Sequence, residues 1–265
     1  MKNDLQYRRF SLVELIVVIA ILSTLVSLLS PSLRSTLNKA ARMECGKNLA
    51  GVGLAMDLYL GDHLYFPGAG VHWSDMGKNI PSYDDRLGQG YDGRSGMGQM
   101  AMEKDRIYPD DAEDTFLYRC PQDMDIREQR GGARSRTYKI TAFVFSKSSA
   151  AVVNQKKRGL VHMDMENPVS RSIHDINLPS QTISIYEGPS DWNTLGYGSG
   201  STETTDRLWD ELKRNSIFTS DPYLHGDDPE GNFLMIDGHV EFLHAIDVFH
   251  PQATDLRGSL MDAWK

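Results

Sequence analysis

The chain has 265 residues, of which 40% are hydrophobic, 24% charged and 9% aromatic, and its formal net charge is -8. That composition excludes a multi-span membrane protein, an intrinsically disordered chain and a collagen-like repeat. The acidic balance argues against a nucleic-acid partner, because a phosphate-binding surface needs clustered Lys and Arg; the one dense basic run, Lys156-Lys157-Arg158, reads as a solvated loop face.

Hydrophobicity is concentrated at the N-terminus. Phe10 to Leu29 is a 20-residue apolar run whose only charged residue is Glu14, preceded by Lys2, Arg8 and Arg9. As a helix rising about 1.5 Å per residue it is about 30 Å long, the thickness of a bilayer's hydrocarbon core. The positive flank before it predicts a cytoplasmic leader, residues 1–9, a single span over 10–30 and export of everything after Pro31. A cleavable secretory signal fits less well: the run is long, no small-x-small site follows it before Pro31, and a carboxylate sits near its start. An ionisable group inside a span is costly and points to function, with a partner to be named. A cut between Arg9 and Phe10 would supply one, because the new amine lies one helical turn from Glu14 and can neutralise it in its own chain or a neighbour's.

The residues Phe10-Ser11-Leu12-Val13-Glu14-Leu15-Ile16-Val17-Val18-Ile19-Ala20-Ile21, followed by Pro31, resemble the prepilin-type cleavage and methylation segment of type IV pilins and type II secretion pseudopilins. The resemblance implies cleavage by a prepilin peptidase between Arg9 and Phe10, N-methylation at Phe10, and a role for Phe10 and Glu14 in registering pilin-like subunits in a filament. Where that pattern usually has Gly before the cut, this chain has Arg9.

Beyond Pro31, which is expected to bend the helix, Leu33, Leu37, Ala41, Cys45, Leu49, Val52, Met56 and Tyr59 recur at steps of three or four, predicting an amphipathic stalk over 31–61 with its stripe packed in the core. Gly61-Asp62 is the expected stop. Cys45 lies on this stripe and Cys120 is the only other cysteine; the pair reads as a structural disulfide, as two buried thiols, or as a metal or catalytic thiol pair. The remainder, 62–265, reads as one globular head. Gly61 to Met102, densest in Asp and Gly at 84–93, is predicted as a long surface loop, with calcium as a candidate ligand although the EF-hand ladder is absent. Its glycines lack the strand-to-helix context of a phosphate cradle.

Strands are expected at 136–145, 152–153, 160–163, 182–186, 233–236 and 240–243. The last two flank Asp237-Gly238, a two-residue hairpin turn by composition. His225-Gly226 followed by Asp237-Gly238-His239-Val240 resembles the C-terminal signature of a pseudopilin-like group with extended heads. The segments Tyr118-Arg119-Cys120-Pro121 and Arg136-Thr137-Tyr138-Lys139-Ile140 sit where that group tends to have a Cys-Pro step and a Ser-Tyr-containing strand. By residue type His225, Asp227, Asp228, Asp237 and His239 form a candidate metal set. The turn and hydrogen bonding to backbone explain the same residues structurally. Trp73, Trp192 and Trp209 line a glycan groove or the core, with the core favoured. No Gly-x-Ser-x-Gly, His-Glu-x-x-His or Walker pattern occurs, and no catalytic residue or required cofactor is expected.

The expectation is therefore an α+β, pilin-like fold: a long N-terminal helix packed on an antiparallel sheet with enlarged loops. The corresponding function is a non-enzymatic subunit of a pilus or secretion filament, anchored in the inner membrane with a periplasmic head and extracytoplasmic after processing. The competing expectation is a membrane-anchored periplasmic ligand- or glycan-binding protein, or enzyme, that uses a pilin-type leader for export.

Overall fold

The structure is a computed structural model that describes residues 11–68, 82–94, 116–123, 136–143, 160–162, 170–188, 202–204, 230–248 and 260. The chain divides into two units, residues 1–40 and 41–265. Helix α1, Leu12–His63, contributes to both and is continuous through Pro31. It ends two residues beyond Gly61, where Leu64 takes a φ of 61°.

In the first unit every described side chain is exposed, including Leu12, Ile16, Ile19, Leu22 and Leu28. Apolar surface on this scale is stable only against another apolar phase. Two hydroxyls within the run are satisfied by the helix itself. Ser23 Oγ donates to the Ile19 carbonyl at 2.7 Å and Thr24 Oγ1 to that of Ile21 at 2.8 Å, as a segment surrounded by hydrocarbon requires. The amphipathic stripe was expected to pack from Leu33 onward, but Leu33 and Leu37 are 60% and 59% exposed. Core packing begins at Cys45, because the elements that cover the stripe belong to the second unit.

The second unit is α+β. Its strands are β1 (Tyr138–Phe143), β2 (Val161–His162), β3 (Ile183–Glu187), β4 (Thr202–Thr204), β5 (Glu230–Met235) and β6 (Val240–His244). Strands β1, β3, β5 and β6 form a continuous antiparallel sheet in that order, with pairs such as Ile140↔Ile185, Tyr186↔Phe233 and Asn232↔Phe242. The short β2 and β4 run parallel to β1. Of the expected strands, 152–153 lies outside the described residues.

Both faces of the sheet are covered. Cys45, Leu49, Val52, Met56 and Tyr59 of α1 form the main core with Tyr138, Ile140, Ile185 and Leu234, and each buried Leu, Val, Met or Ile among them stabilises the fold by about 1.5–3 kcal/mol. On the other face Ile183, Tyr186 and Met235 pack with Val248 of the C-terminal helix α3 (Ala245–Val248). Ile183 and Ile185 serve opposite faces although two residues apart on one strand. The register against β5 shifts between them, and a bulge of this kind reverses the alternation.

Two sequence expectations are corrected here. The hairpin turn has three residues, not two: Met235 N–H donates to the His239 carbonyl at 2.8 Å, enclosing Ile236, Asp237 and Gly238, and Gly238 N–H donates to Met235 at 3.1 Å. Gly238 alone takes positive φ, 89°, so the sequence builds a turn closed by a left-handed glycine rather than the mirror-image Asp-Gly turn. Likewise 61–102 is not a surface loop throughout. Tyr83–Leu87 form helix α2, and Tyr83, Asp84, Asp85 and Leu87 are buried.

Cys45 and Cys120 are joined by a disulfide and fully buried. The bond spans a sequence separation of 75 residues, worth about 4 kcal/mol by loop-closure entropy. Cys45→Ser with Cys120→Ser is expected to lower unfolding stability by about that amount in urea titrations monitored by far-ultraviolet circular dichroism; a loss below about 1 kcal/mol would contradict a structural role.

Candidate functional site

Glu14 stands in the first turn of α1. Ser11 N–H donates to Glu14 Oε2 at 2.8 Å, and Val13 N–H to Ser11 Oγ at 3.3 Å, so Ser11-Leu12-Val13-Glu14 caps the helix reciprocally. The Ser-x-x-Glu spacing is the sequence signature of this cap. The cap positions the Glu14 carboxylate at the positive end of the helix dipole without neutralising it. Arg9 and Phe10, the expected processing pair, lie outside the described residues.

The cysteines lie in the hydrophobic core, where hydrogen bonds tie their surroundings together. Tyr138 Oη donates to the Cys45 carbonyl at 2.9 Å, Cys120 N–H to Thr137 Oγ1 at 3.0 Å and Asn48 Nδ2 to the Arg119 carbonyl at 3.0 Å. A carboxylate oxygen of Glu187 lies within 4.8 Å of both sulfurs. In the disulfide those sulfurs present no thiolate, and Glu187 accepts from Asn232 N–H at 2.8 Å and Nδ2 at 2.9 Å.

The acidic segment considered for calcium is engaged internally. Asp84 pairs with Arg136, both fully buried, and accepts from Ser82 Oγ. Asp85 receives the Ser82 N–H at 2.7 Å. Asp92 pairs with Arg94 at 2.5 Å and accepts from Tyr118 Oη at 2.7 Å. The two guanidinium groups lie over aromatic rings, Arg136 over Tyr83 at 5.1 Å and Arg94 over Tyr118 at 5.0 Å. Burial lowers the Arg136 pKa to about 10, still protonated at neutral pH, and raises that of Asp85 despite its Ser82 hydrogen bonds and the nearby arginines. The buried pair leaves no local signal in the sequence, since its two residues are 52 apart.

At the hairpin, His239 Nδ1 contacts Asp237 Oδ1 at 2.5 Å and Nε2 lies 3.3 Å from Glu241 Oε1. A Cβ at Gly238 would stand 3.2 Å from Asp57 Oδ2 of α1, so the turn rests against the helix. Burial and the charge of Asp237 raise the Asp57 pKa. Burial acts to lower that of His239, but the hydrogen bonds and charges of Asp237 and Glu241 outweigh it and the net shift is upward. His225, Gly226, Asp227, Asp228, Trp73, Trp192 and Trp209 lie outside the described residues. The structure therefore brings Asp237 and His239 together in a turn-stabilising contact. No protein-family model matches the chain, and neither does any curated protein or solved structure.

Replacing Arg136 by Met is expected to cost about 3–5 kcal/mol by stranding the Asp84 charge, with much of the loss recovered when Asp84→Asn is added; equal losses in single and double variants would show that the pair itself is unimportant. The His239 imidazole is expected to titrate above the ordinary 6.5 by NMR. A raised folded-state value makes its contribution to stability complete below that ordinary pH and lost as pH rises through the folded value. His239→Gln should remove that dependence; a midpoint at or below 6.5 would contradict the contact in solution.

Proposed function

We propose that this chain is a pilin-like subunit, held in a membrane by the first part of α1 before assembly and incorporated into a cell-envelope filament through that same helix. The observation that carries the reading is the uncovered apolar helix opening on Glu14: its large side chains are left exposed by the chain's own fold, and one helix is long and apolar enough to cross a membrane. The resemblance of residues 10–21 to the prepilin-type segment supplies the kind of assembly, and a long helix lying on an antiparallel sheet is the architecture such a subunit requires. Charge counting is nearly balanced, with Lys2, Arg8 and Arg9 before the run and Arg34, Lys39, Arg42 and Lys47 after it. The disulfide supports orientation independently, because such bonds persist in oxidising compartments such as the periplasm.

In the membrane, apolar side chains face lipid and the helix satisfies its own backbone. In a filament, the helices of neighbouring pilin-like subunits replace the lipid, and Glu14 draws the Phe10 amine of a neighbour, exchanging a costly isolated charge for an ion pair. The Ser11 cap presents the carboxylate for that contact. The reading needs no metal or cofactor and assigns the head to surface chemistry.

The mass of the native N-terminal peptide tests the processing step: a peptide beginning at methylated Phe10 is expected, and one beginning at Met1 would overturn it. Glu14→Val is expected to leave carbonate-resistant membrane insertion intact while lowering filament incorporation at least about tenfold, the equivalent of about 1.4 kcal/mol. Unchanged incorporation would remove Glu14 from assembly.

A further inference from the structure

The end of α1 carries a cluster of metal-ligating side chains that the filament reading does not use. Asp62 and His63 close the helix and are exposed, and Tyr91 reaches them from the turn that follows α2. Tyr91 Oη donates to Asp62 Oδ2 at 3.0 Å and lies 3.1 Å from His63 Nε2. An ionised carboxylate only accepts, so the phenol hydrogen goes to Asp62 and the imidazole Nε2–H donates to Tyr91 Oη. A carboxylate oxygen, a phenol oxygen and an imidazole nitrogen thus converge near the surface, with the phenol oxygen between the other two.

Both sides of the cluster are held in place. Tyr59, one helical turn before His63, has its ring centre 4.2 Å from that of His63 and 5.3 Å from that of Tyr91. Tyr91 N–H and Asp92 N–H donate to the Leu87 carbonyl at 3.0 and 3.2 Å. The Asp92 carboxylate is taken by Arg94 and Tyr118, so the turn that carries Tyr91 is anchored in the core. Ligands that keep their places before an ion arrives are what a metal site requires. Around an octahedral ion with bonds of about 2.0–2.1 Å, neighbouring ligand atoms stand about 2.9 Å apart, close to the separations of Tyr91 Oη from Asp62 and from His63.

We propose that Asp62, His63 and Tyr91 form a binding site for ferric iron, with the remaining positions of the ion left to water or a small anion. Donor chemistry selects the ion. Phenolate and carboxylate are hard anionic oxygens that suit a trivalent cation, and imidazole suits iron, copper and zinc rather than calcium or magnesium. Both cysteines are in the disulfide, so the cluster offers no thiolate to a softer ion. Uptake exchanges a proton for the ion: Tyr91 Oη loses its hydrogen to solvent and binds as phenolate, the His63 hydrogen moves to Nδ1, and Nε2 and the Asp62 oxygen give lone pairs to the iron, whose oxidation state does not change. Without the ion the phenol stays protonated, because its hydrogen bond to Asp62 raises its pKa; a bound cation inverts that preference. The site is independent of the membrane and filament reading.

The test titrates the full chain in detergent with ferric nitrilotriacetate and follows the visible phenolate-to-iron charge-transfer absorption, which is expected to saturate at equimolar iron. The chain has 11 tyrosines, so the assignment needs Tyr91→Phe, which keeps the ring beside Tyr59 and His63 and is expected to abolish the band with an unchanged far-ultraviolet circular dichroism spectrum. Asp62→Asn and His63→Gln are each expected to weaken binding at least about tenfold, the least that even an outer-shell partner of a metal is worth. Absence of the band from the wild-type chain, its persistence in Tyr91→Phe, or unchanged affinity in both Asp62→Asn and His63→Gln overturns the iron site and leaves the cluster as a clamp between helix and turn. None of these outcomes bears on filament incorporation, which Glu14→Val tests separately.

Discussion

The bond between Cys45 and Cys120 closes a ring of contacts on which the second unit is organised. It joins α1 to the segment 116–123. That segment accepts Asn48 of the helix through the Arg119 carbonyl and Thr137 N–H through the Tyr118 carbonyl. One residue later, Tyr138 opens β1 and returns its hydroxyl to the Cys45 carbonyl. Helix, segment and first strand are thus fixed together by the disulfide and these hydrogen bonds, in addition to the hydrophobic packing of the sheet. The buried pair of Asp84 and Arg136 stands just beyond this ring: Arg136 precedes Thr137 in sequence, and Tyr83, next to Asp84, donates to the Tyr138 carbonyl at 2.9 Å. A charge pair so deeply desolvated is tolerable only where its surroundings hold both partners in place.

The same helix meets two environments. From Cys45 to Tyr59 one apolar stripe, Cys45, Leu49, Val52, Met56 and Tyr59, is enclosed in the core, whereas from Leu12 to Leu37 the apolar side chains are left for another phase. A soluble protein gains nothing from the second arrangement. A subunit that passes from lipid to a bundle of like helices gains from it twice, because both surroundings are apolar and neither asks the helix to change its own hydrogen bonding. In the assembly proposed above, the carboxylate of Glu14 is a group for which the two surroundings would differ, since lipid offers it no counter-charge and a processed neighbour would.

Much of this was legible in the residues. The bilayer-length run, the end of the helix near Gly61 and the hairpin at Asp237-Gly238 follow from composition and local period, which are sequence-near signals. What escaped is non-local or depends on one residue more or less. Leu33 and Leu37 share the period of the packed stripe but not its cover, and periodicity cannot say where a covering sheet ends. Asp84 and Asp85 look like an exposed acidic loop because only the arrival of Arg136 and the Ser82 cap makes their burial affordable. The turn was misjudged because Asp-Gly permits positive φ at both positions, while the observed loop uses it only at Gly238. At the N-terminus the signal is of another kind: Glu14 carries an expectation of subunit assembly, while the Ser11-x-x-Glu14 spacing also encodes a plain helix cap.

The irregularity in β3 bears on how this sheet tolerates change. Because the register slips between Ile183 and Ile185, the strand supplies isoleucines to two separate cores, and Ser184 between them bonds to the Leu234 carbonyl rather than to either core. The two hydrophobic clusters are therefore phased by a single residue. Substitutions within either cluster perturb that cluster alone, whereas loss or gain of one residue at 184 would invert the strand's facing and set both layers against each other at once. Side-chain identity on each face is therefore less tightly constrained by this sheet than the length of β3.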